Sequence, residues 1–208
     1  MINSRNINTI FMKNKKVSNW VIVIAAVTVI IFWGVSAYNN LVSQEESVES
    51  AWSQVENVYQ RRADLIPNLV NTVKGYASHE QETLTSVIEA RSKATQITID
   101  PAKLDAKALA QYQSAQNELS AALGRLMVLK EQYPNLKADQ SFINLQTQLE
   151  GTENRITVER QKFNETAKSY NTSVRKFPKS IIAGIFGFEK KGYFEAMIGA
   201  ENAPKVEF

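Results

Sequence analysis

Two patterns of apolar residues occupy this chain: one unbroken block near the N-terminus, then a long stretch in which apolar positions recur in steps of three and four. The first stepped seam runs Val48, Trp52, Val55, Tyr59, Arg62, Ile66, Leu69, Val73 and Tyr76. That is the heptad spacing of helices packed side by side. Pro67 removes a backbone donor and crowds the preceding turn, which predicts a kink near residues 63–66. Gly75 and the polar stretch Ser78 to Thr83 blur the stripe before Leu84, Val87 and Ile88 resume it. The pattern predicts one long element over residues 40–96, kinked or briefly broken, with two helices meeting near 75–79 as the alternative.

Asp100-Pro101 closes this element and opens the next, aspartate serving as N-cap and proline as first helical residue. A second seam follows through Ala108, Tyr112, Ala115, Leu119, Ala122, Leu126, Leu129 and Tyr133, and Pro134 stops it. A third begins after Asp139 with Phe142, Leu145, Leu149, Thr152, Ile156, Glu159 and Phe163, and continues through Tyr170 and Val174 to Phe177, where Pro178 terminates it. Short connections between seams make neighbouring helices antiparallel. No stretch sustains a β alternation. The predicted fold class is all-α: an elongated antiparallel bundle of three long helices plus a short C-terminal helix, behind an N-terminal transmembrane helix. Three traverses of about 80, 45 and 58 Å put Phe177 at the membrane-distal end of such a rod.

The apolar block is Trp20 to Tyr38, WVIVIAAVTVIIFWGVSAY, 19 residues covering about 28 Å as a helix, which matches a bilayer core of about 30 Å. Trp20 and Tyr38 stand at its two ends, where amphipathic rings prefer the interface. A cleavable signal peptide is the competing reading, since Val35-Ser36-Ala37 resembles a small-residue cleavage site. The length of the block, and Trp33 and Tyr38 crowding that site, favour an uncleaved signal-anchor. The resulting organisation is a short basic tail over 1–19, a transmembrane helix over 20–38, a long-helix bundle over 40–177, and a C-terminal apolar segment over 178–208 packing on the bundle.

Charge sharpens this picture. The chain carries 24 Lys+Arg against 21 Asp+Glu, a net +3. Residues 1–19 hold Arg5, Lys13, Lys15 and Lys16 and no acid, a local +4, so the remainder is close to neutral at −1. A nucleic-acid partner requires a basic face on the folded domain, and none is implied. With Glu45, Glu46 and Glu49 after the span, the positive-inside rule leaves the N-terminus in the cytoplasm and residues 40–208 outside, at a bacterial plasma or inner membrane.

Chemistry is sparse. There is no cysteine, which removes disulfides, thiolate metal sites and cysteine nucleophiles. The single histidine, His79, cannot form a paired-histidine metal site. His79-Glu80 lacks any nucleophile motif or glycine-rich phosphate loop beside it and reads as a solvated pair. No catalytic residue, metal ligand or cofactor is implied.

Two segments stand out as interaction or structural motifs. In Arg61-Arg62-Ala63-Asp64-Leu65-Ile66-Pro67-Asn68-Leu69, Arg62 occupies a seam position where an apolar residue is expected. A buried guanidinium requires a partner, for example Glu159 on the third seam; otherwise it is a recognition point for an acidic group. Arg61, Arg62, Asp64, Pro67 and Asn68 are the candidates here. The second segment is the apolar run containing Ile181, Ile182, Ile185, Phe186 and Phe188, flanked by Arg175, Lys176, Lys179, Lys190 and Lys191. A short helix covering the end of the bundle is the first expectation for this distal patch. A partner-binding surface comes second and membrane contact third.

Together, the span, Tyr38-Asn39-Asn40-Leu41-Val42, Ala51-Trp52-Ser53-Gln54-Val55-Glu56, Tyr59 to Val70 and Val73-Lys74-Gly75-Tyr76-Ala77 form a distinctive series. Phe163-Asn164, Tyr170-Asn171, Phe177-Pro178, Phe186-Gly187-Phe188, Tyr193-Phe194 and Ala203-Pro204-Lys205-Val206 extend it. The series resembles the LemA family of bacterial single-span membrane proteins over residues 20 to 208. The resemblance implies an α-helical bundle on a membrane anchor and brings no established enzymatic activity, ligand or catalytic residue. Such proteins are sometimes described with the short N-terminus outside the cell; the charges here argue the opposite.

The expected function is that of a non-enzymatic, membrane-anchored helical interaction or scaffold protein. It would bind the membrane through residues 20–38 and an unidentified protein partner through the two motifs. The heptad seams would also suit pairing with a second copy. A ligand-binding, sensor-like bundle is the alternative.

Overall fold

The computed structural model describes the backbone of residues 4–195 and the side chains of residues 19–195. The side chains of Arg5, Lys13, Lys15 and Lys16 and the motif Ala203 to Val206 lie outside the described residues. The chain forms helices α1 (Ser4–Tyr76), α2 (Gln81–Gln96), α3 (Ala106–Val128), α4 (Pro134–Lys137), α5 (Gln140–Arg175) and α6 (Lys179–Phe186). Short 3-10 turns at Pro101–Lys103 and Leu129–Glu131 complete them, and the described residues contain no strand. The fold is all-α, as the seams predict.

Three boundaries differ from the expectation. The first expectation of one element over 40–96 gives way to its alternative, two helices: α1 runs through Pro67 to Tyr76, the chain turns over residues 77–80, and α2 follows. At the turn Ala77 N–H still donates to Val73 O (2.8 Å), and Glu80 N–H donates back to Ala77 O (3.1 Å). Ala77 is buried, while Ser78 and His79 are exposed, so a reversal exposes only polar side chains. Asp100 caps only the 3-10 turn, through Ala102 N–H (3.0 Å); the N-cap of α3 is Asp105, accepting from Ala108 N–H (2.7 Å). Helix α3 ends at Val128, and Pro134 opens α4 instead of stopping α3. Asp139 caps α5 by accepting from Phe142 N–H (2.8 Å).

The chain divides into two compact units. The larger holds residues 44–172 and the chain from Glu189 onward. Its first seam is buried from Val48 to Val73, and the core includes Trp52, Ile66, Leu69, Leu119, Leu126, Phe142 and Phe163. Each such side chain removed from water contributes about 1.5–3 kcal/mol. Arg91 on α2 reaches Ala63 on α1, and Gln116 on α3 reaches Ala94 on α2, as successive antiparallel neighbours do. Tyr76 meets Asp139, Arg62 meets Glu153 and Glu45 meets Tyr170. Each step back along α1 is thus matched by an equal step forward along α5, an antiparallel pair in constant register.

The smaller unit comprises residues up to Ser43 with Ser173–Phe188. Its apolar run is exposed, Trp20, Ile24, Ile30 and Phe32 each by more than half. This part of α1 is the one described helix apolar and long enough to cross a membrane. Helix α6 lies against the end of the run. A side chain on Gly34 would meet Ile182 at 3.8 Å, the Tyr38 ring packs on Phe186 (4.8 Å) and Phe188 (5.7 Å), and Lys179 Nζ donates to Asn40 Oδ1 (2.8 Å). Gly187, at φ 77°, closes α6 in the left-handed conformation that glycine adopts without strain. The segment therefore does not stand far from the apolar run. The reckoning with three traverses omitted the reversal at 77–80, and an extra reversal returns the end of α5 to the residues that follow the apolar run.

Candidate functional site

Arg62 is 1% exposed, and its seam position turns it inward because Tyr59 and Ile66, one turn to either side, are core residues. Its Nη1 donates to Ser120 Oγ (2.9 Å) on α3 and to Glu153 Oε2 (2.9 Å) on α5. Its Nη2 donates to the Gln116 carbonyl (3.3 Å) and to Gln116 Oε1. The guanidinium also lies over the Tyr59 ring, 5.1 Å from its centre, while Nε is buried without an acceptor. The acidic partner is Glu153 and not Glu159, which instead pairs with Lys162 (2.8 Å). Arg62 thus joins three helices at one point.

The other residues of this block face outward. Arg61, Asp64, Pro67 and Asn68 are exposed, and Asp64 Oδ1 accepts from Gln60 Nε2 (2.7 Å). Pro67 has no N–H to give to the carbonyl four residues back, that of buried Ala63. Arg91 Nε on α2 donates to that carbonyl at 2.7 Å. The proline is tolerated inside α1 because a side chain from the next helix replaces the missing donor. Sequence reasoning missed Arg91; the signal was an arginine placed as far after Ala77, where the chain begins to turn, as Ala63 lies before it. His79 is exposed, and Tyr133 Oη donates to Glu80 Oε1 (2.9 Å).

Residues of the arginine node line two concavities. In one, an open, mainly apolar groove of about 360 Å³ runs between α3 and α5, lined by Leu123, Gly124, Met127 and Leu149, with Arg62 and Glu153 at its rim. Gly124 has open space where a side chain would stand. The other, a pocket of about 160 Å³, is lined by Glu56, Tyr59, Ala94, Tyr112 and Gln116. Burial pushes the Glu56 carboxyl up from its ordinary value, and burial likewise raises the Tyr59 and Tyr112 hydroxyls.

A second construction, unforeseen from sequence, holds the chain after α6. Asn171 donates to Lys191 O (2.8 Å) and accepts from Lys191 N–H (2.9 Å). Asn164 does the same with Phe194 (2.9 and 2.9 Å), and Gln113 with Glu195 (3.0 and 3.1 Å). Asn164 and Asn171 are two helical turns apart, about 10.5 Å, and three residues of extended chain cover about 10 Å. The spacing of the Phe163-Asn164 and Tyr170-Asn171 pairs is therefore the ruler on which residues 191–194 are laid. Gly192 N–H donates to Leu104 O (2.7 Å), and any side chain on Gly192 would come within 2.8 Å of Ala106 Cα. Lys191 is buried, donating to Ala102 O (3.0 Å) and paired with Glu45 (2.8 Å); Phe194 packs on Trp52 and Phe163.

The apolar candidates fall in the smaller unit and the Arg61–Asn68 set in the larger. Ile182 is half-buried, whereas Ile181, Ile185 and Phe186 are exposed. Among the described residues no three His, Cys, Asp or Glu side chains converge as a metal ion requires.

Compared with known proteins, residues 51–208 match the profile described as LemA family. The chain is 28% identical over 174 residues to magnetosome protein MamQ of Magnetospirillum gryphiswaldense, a match covering 76% of this chain and 64% of that protein. It is 29% identical over 175 residues to MamQ 2 of Paramagnetospirillum magneticum, with the same coverage. It is 24% identical over 176 residues to the LemA protein of Metamycoplasma hominis, covering 83% of this chain and 75% of that one. The chain thus spans slightly less than two thirds of the MamQ proteins it matches.

Proposed function

Given that this chain belongs to the LemA family, we propose that it is a membrane-anchored helical scaffold that holds a protein partner at the extracytoplasmic face of a bacterial plasma membrane and catalyses no reaction. The observation that carries this reading is that α1 is unbroken from Ser4 to Tyr76. The exposed apolar run and the first buried seam of the larger unit therefore belong to one element. The buried charged groups Arg62 and Lys191 are engaged in structural pairs, which leaves the exposed face of Arg61, Asp64 and Asn68 as the contact surface. The local +4 ahead of the span and the acidic residues after it support a cytoplasmic N-terminus.

Crosslinking in intact cells from labels at positions 61, 64 and 68, followed by identification of what is captured, tests the partner. One reproducible protein lost on Arg61→Glu is the expected result; capture of self-contacts alone rejects the scaffold. Protease added to spheroplasts should cut the chain beyond residue 40, and full protection reverses the orientation.

A second reading, a ligand-binding bundle, is favoured by the groove between α3 and α5. A compound from a metabolite screen that raises the melting temperature of the detergent-solubilised chain, with Gly124→Leu abolishing the rise, would establish it.

A further inference from the structure

We infer that α6 is a second membrane contact, an interfacial helix lying at the acyl–headgroup boundary of the same bilayer that α1 crosses. The inference rests on the reading of residues 20–38 as a membrane span. The depth follows from the contacts within the smaller unit. Ile182 meets α1 at Gly34, four residues or about 6 Å inside the Tyr38 end of the apolar run. Phe186 and Phe188 pack on Tyr38 itself, and Lys179 is bonded to Asn40, just past that end. An amphipathic helix bound at an interface sinks its apolar face about 5–10 Å, the same level.

The surface left exposed by α6 and by the turn leading into it is apolar. Phe177 is 78% exposed, Ile185 69%, Phe186 59% and Ile181 52%. The apolar run of α1 beside it is exposed to a similar degree, so the two surfaces are continuous at the Gly34–Tyr38 level and call for the same solvent. Arg175 and Lys176 precede α6 and Lys179 opens it, bonded to Asn40, the level at which this placement sets the phosphate headgroups. Their charge suits an anionic lipid, and their long stems allow the cations to remain in the headgroup layer. The occupant this chemistry specifies is phospholipid, with anionic headgroups at the basic end of the helix.

The chain has no cysteine, so single cysteines can be placed without removing any. Full-length Ile185→Cys, Val29→Cys and Arg61→Cys variants, all at exposed positions, would carry nitroxide labels in phosphatidylcholine vesicles with and without phosphatidylglycerol. Accessibility to oxygen and to a nickel chelate then gives depth. The expected result is a Val29 label deep in lipid, an Arg61 label in water, and an Ile185 label between them, its oxygen-to-nickel ratio several-fold above that of Arg61. Phosphatidylglycerol should raise the Ile185 ratio further, and Lys176→Gln with Lys179→Gln should remove that increment. A lipid-exposed Val29 label with an aqueous Ile185 label overturns the inference and leaves the anchor standing. An aqueous Val29 label overturns both. Exclusion of both probes at Ile185, with dipolar broadening between labels, means a second copy covers the face and also overturns lipid contact.

Discussion

Arg62 and Arg91 illustrate how much a single side chain decides in this bundle. Arg62 binds α3 and α5 simultaneously, yet its partner Glu153 is 41% exposed and can return to water if the arginine is lost. Arg62→Ala should destabilise the protein by about 3 kcal/mol, from the unpaired Gln116 groups and the space left behind. Arg62→Leu should cost less, because an apolar side chain suits the seam. Urea unfolding followed by circular dichroism compares the two. Arg91 has a different task, supplying the donor that Pro67 lacks. Arg91→Ala should cost about 1–2 kcal/mol in the native background, by leaving the buried Ala63 carbonyl unpaired. In a Pro67→Ala background the helix provides its own N–H, so the same change should cost clearly less. A double-mutant cycle reads that difference directly, and equal costs would reject the coupling.

At the scale of elements, the extended chain after α6 behaves as a docked strap whose fit depends on two helical turns matching three extended residues. Gly192→Ala sets a methyl group against the Ala106 backbone and should destabilise by about 1–3 kcal/mol, with loss of hydrogen-exchange protection at residues 191, 194 and 195. Asn171→Ala should release the Lys191 end before the Glu195 end, which limited proteolysis would detect as a new cut near 191. Capping was partly legible in the chain: Asp139 stands where the third seam begins. Asp105 was passed over for Asp100 because Asp-Pro is the stronger local signal, and only the placement of Leu104 in the core marks the true start of α3. Asp105→Ala should cost about 1 kcal/mol by thermal unfolding.

For the whole molecule, pH acts through buried phenols at one extreme and paired carboxylates at the other. Burial raises the hydroxyls of Tyr59, Tyr112 and Tyr170, with the charge of Glu45 adding to the effect at Tyr170. In the unfolded chain a phenol ionises near pH 10. The stability these groups contribute is fully present below that value and is lost as pH rises through the higher folded values. Asp139, held low by the Phe142 N–H and by Tyr76, and Glu131, held low by Lys137, act in the reverse sense. Their contribution is present above about pH 4 and falls away as pH drops below it. Melting temperature against pH should show a broad plateau with losses at both ends, and Tyr112→Phe should soften the alkaline fall.

The sequence by itself was sufficient for the helical class, the inward seams, the apolar span and the family, because each is written in local periodicity, in composition or in runs of adjacent residues. It also marked Arg62 as an anomaly. It offered Glu159 as the answer to that anomaly and missed the true partners, since Glu153, Ser120 and Gln116 are chosen by register between helices distant along the chain. One boundary had wide consequences. The turn at 77–80 is only a weakening of the apolar stripe when read locally, yet one reversal more or fewer decides which end of the bundle α5 reaches. Tertiary structure placed α6 beside Gly34 and Tyr38, and it laid residues 191–195 along Asn171, Asn164 and Gln113. Chain direction after each turn and the pairing of distant polar groups are set by the summed packing of the core, which no single stretch of sequence contains.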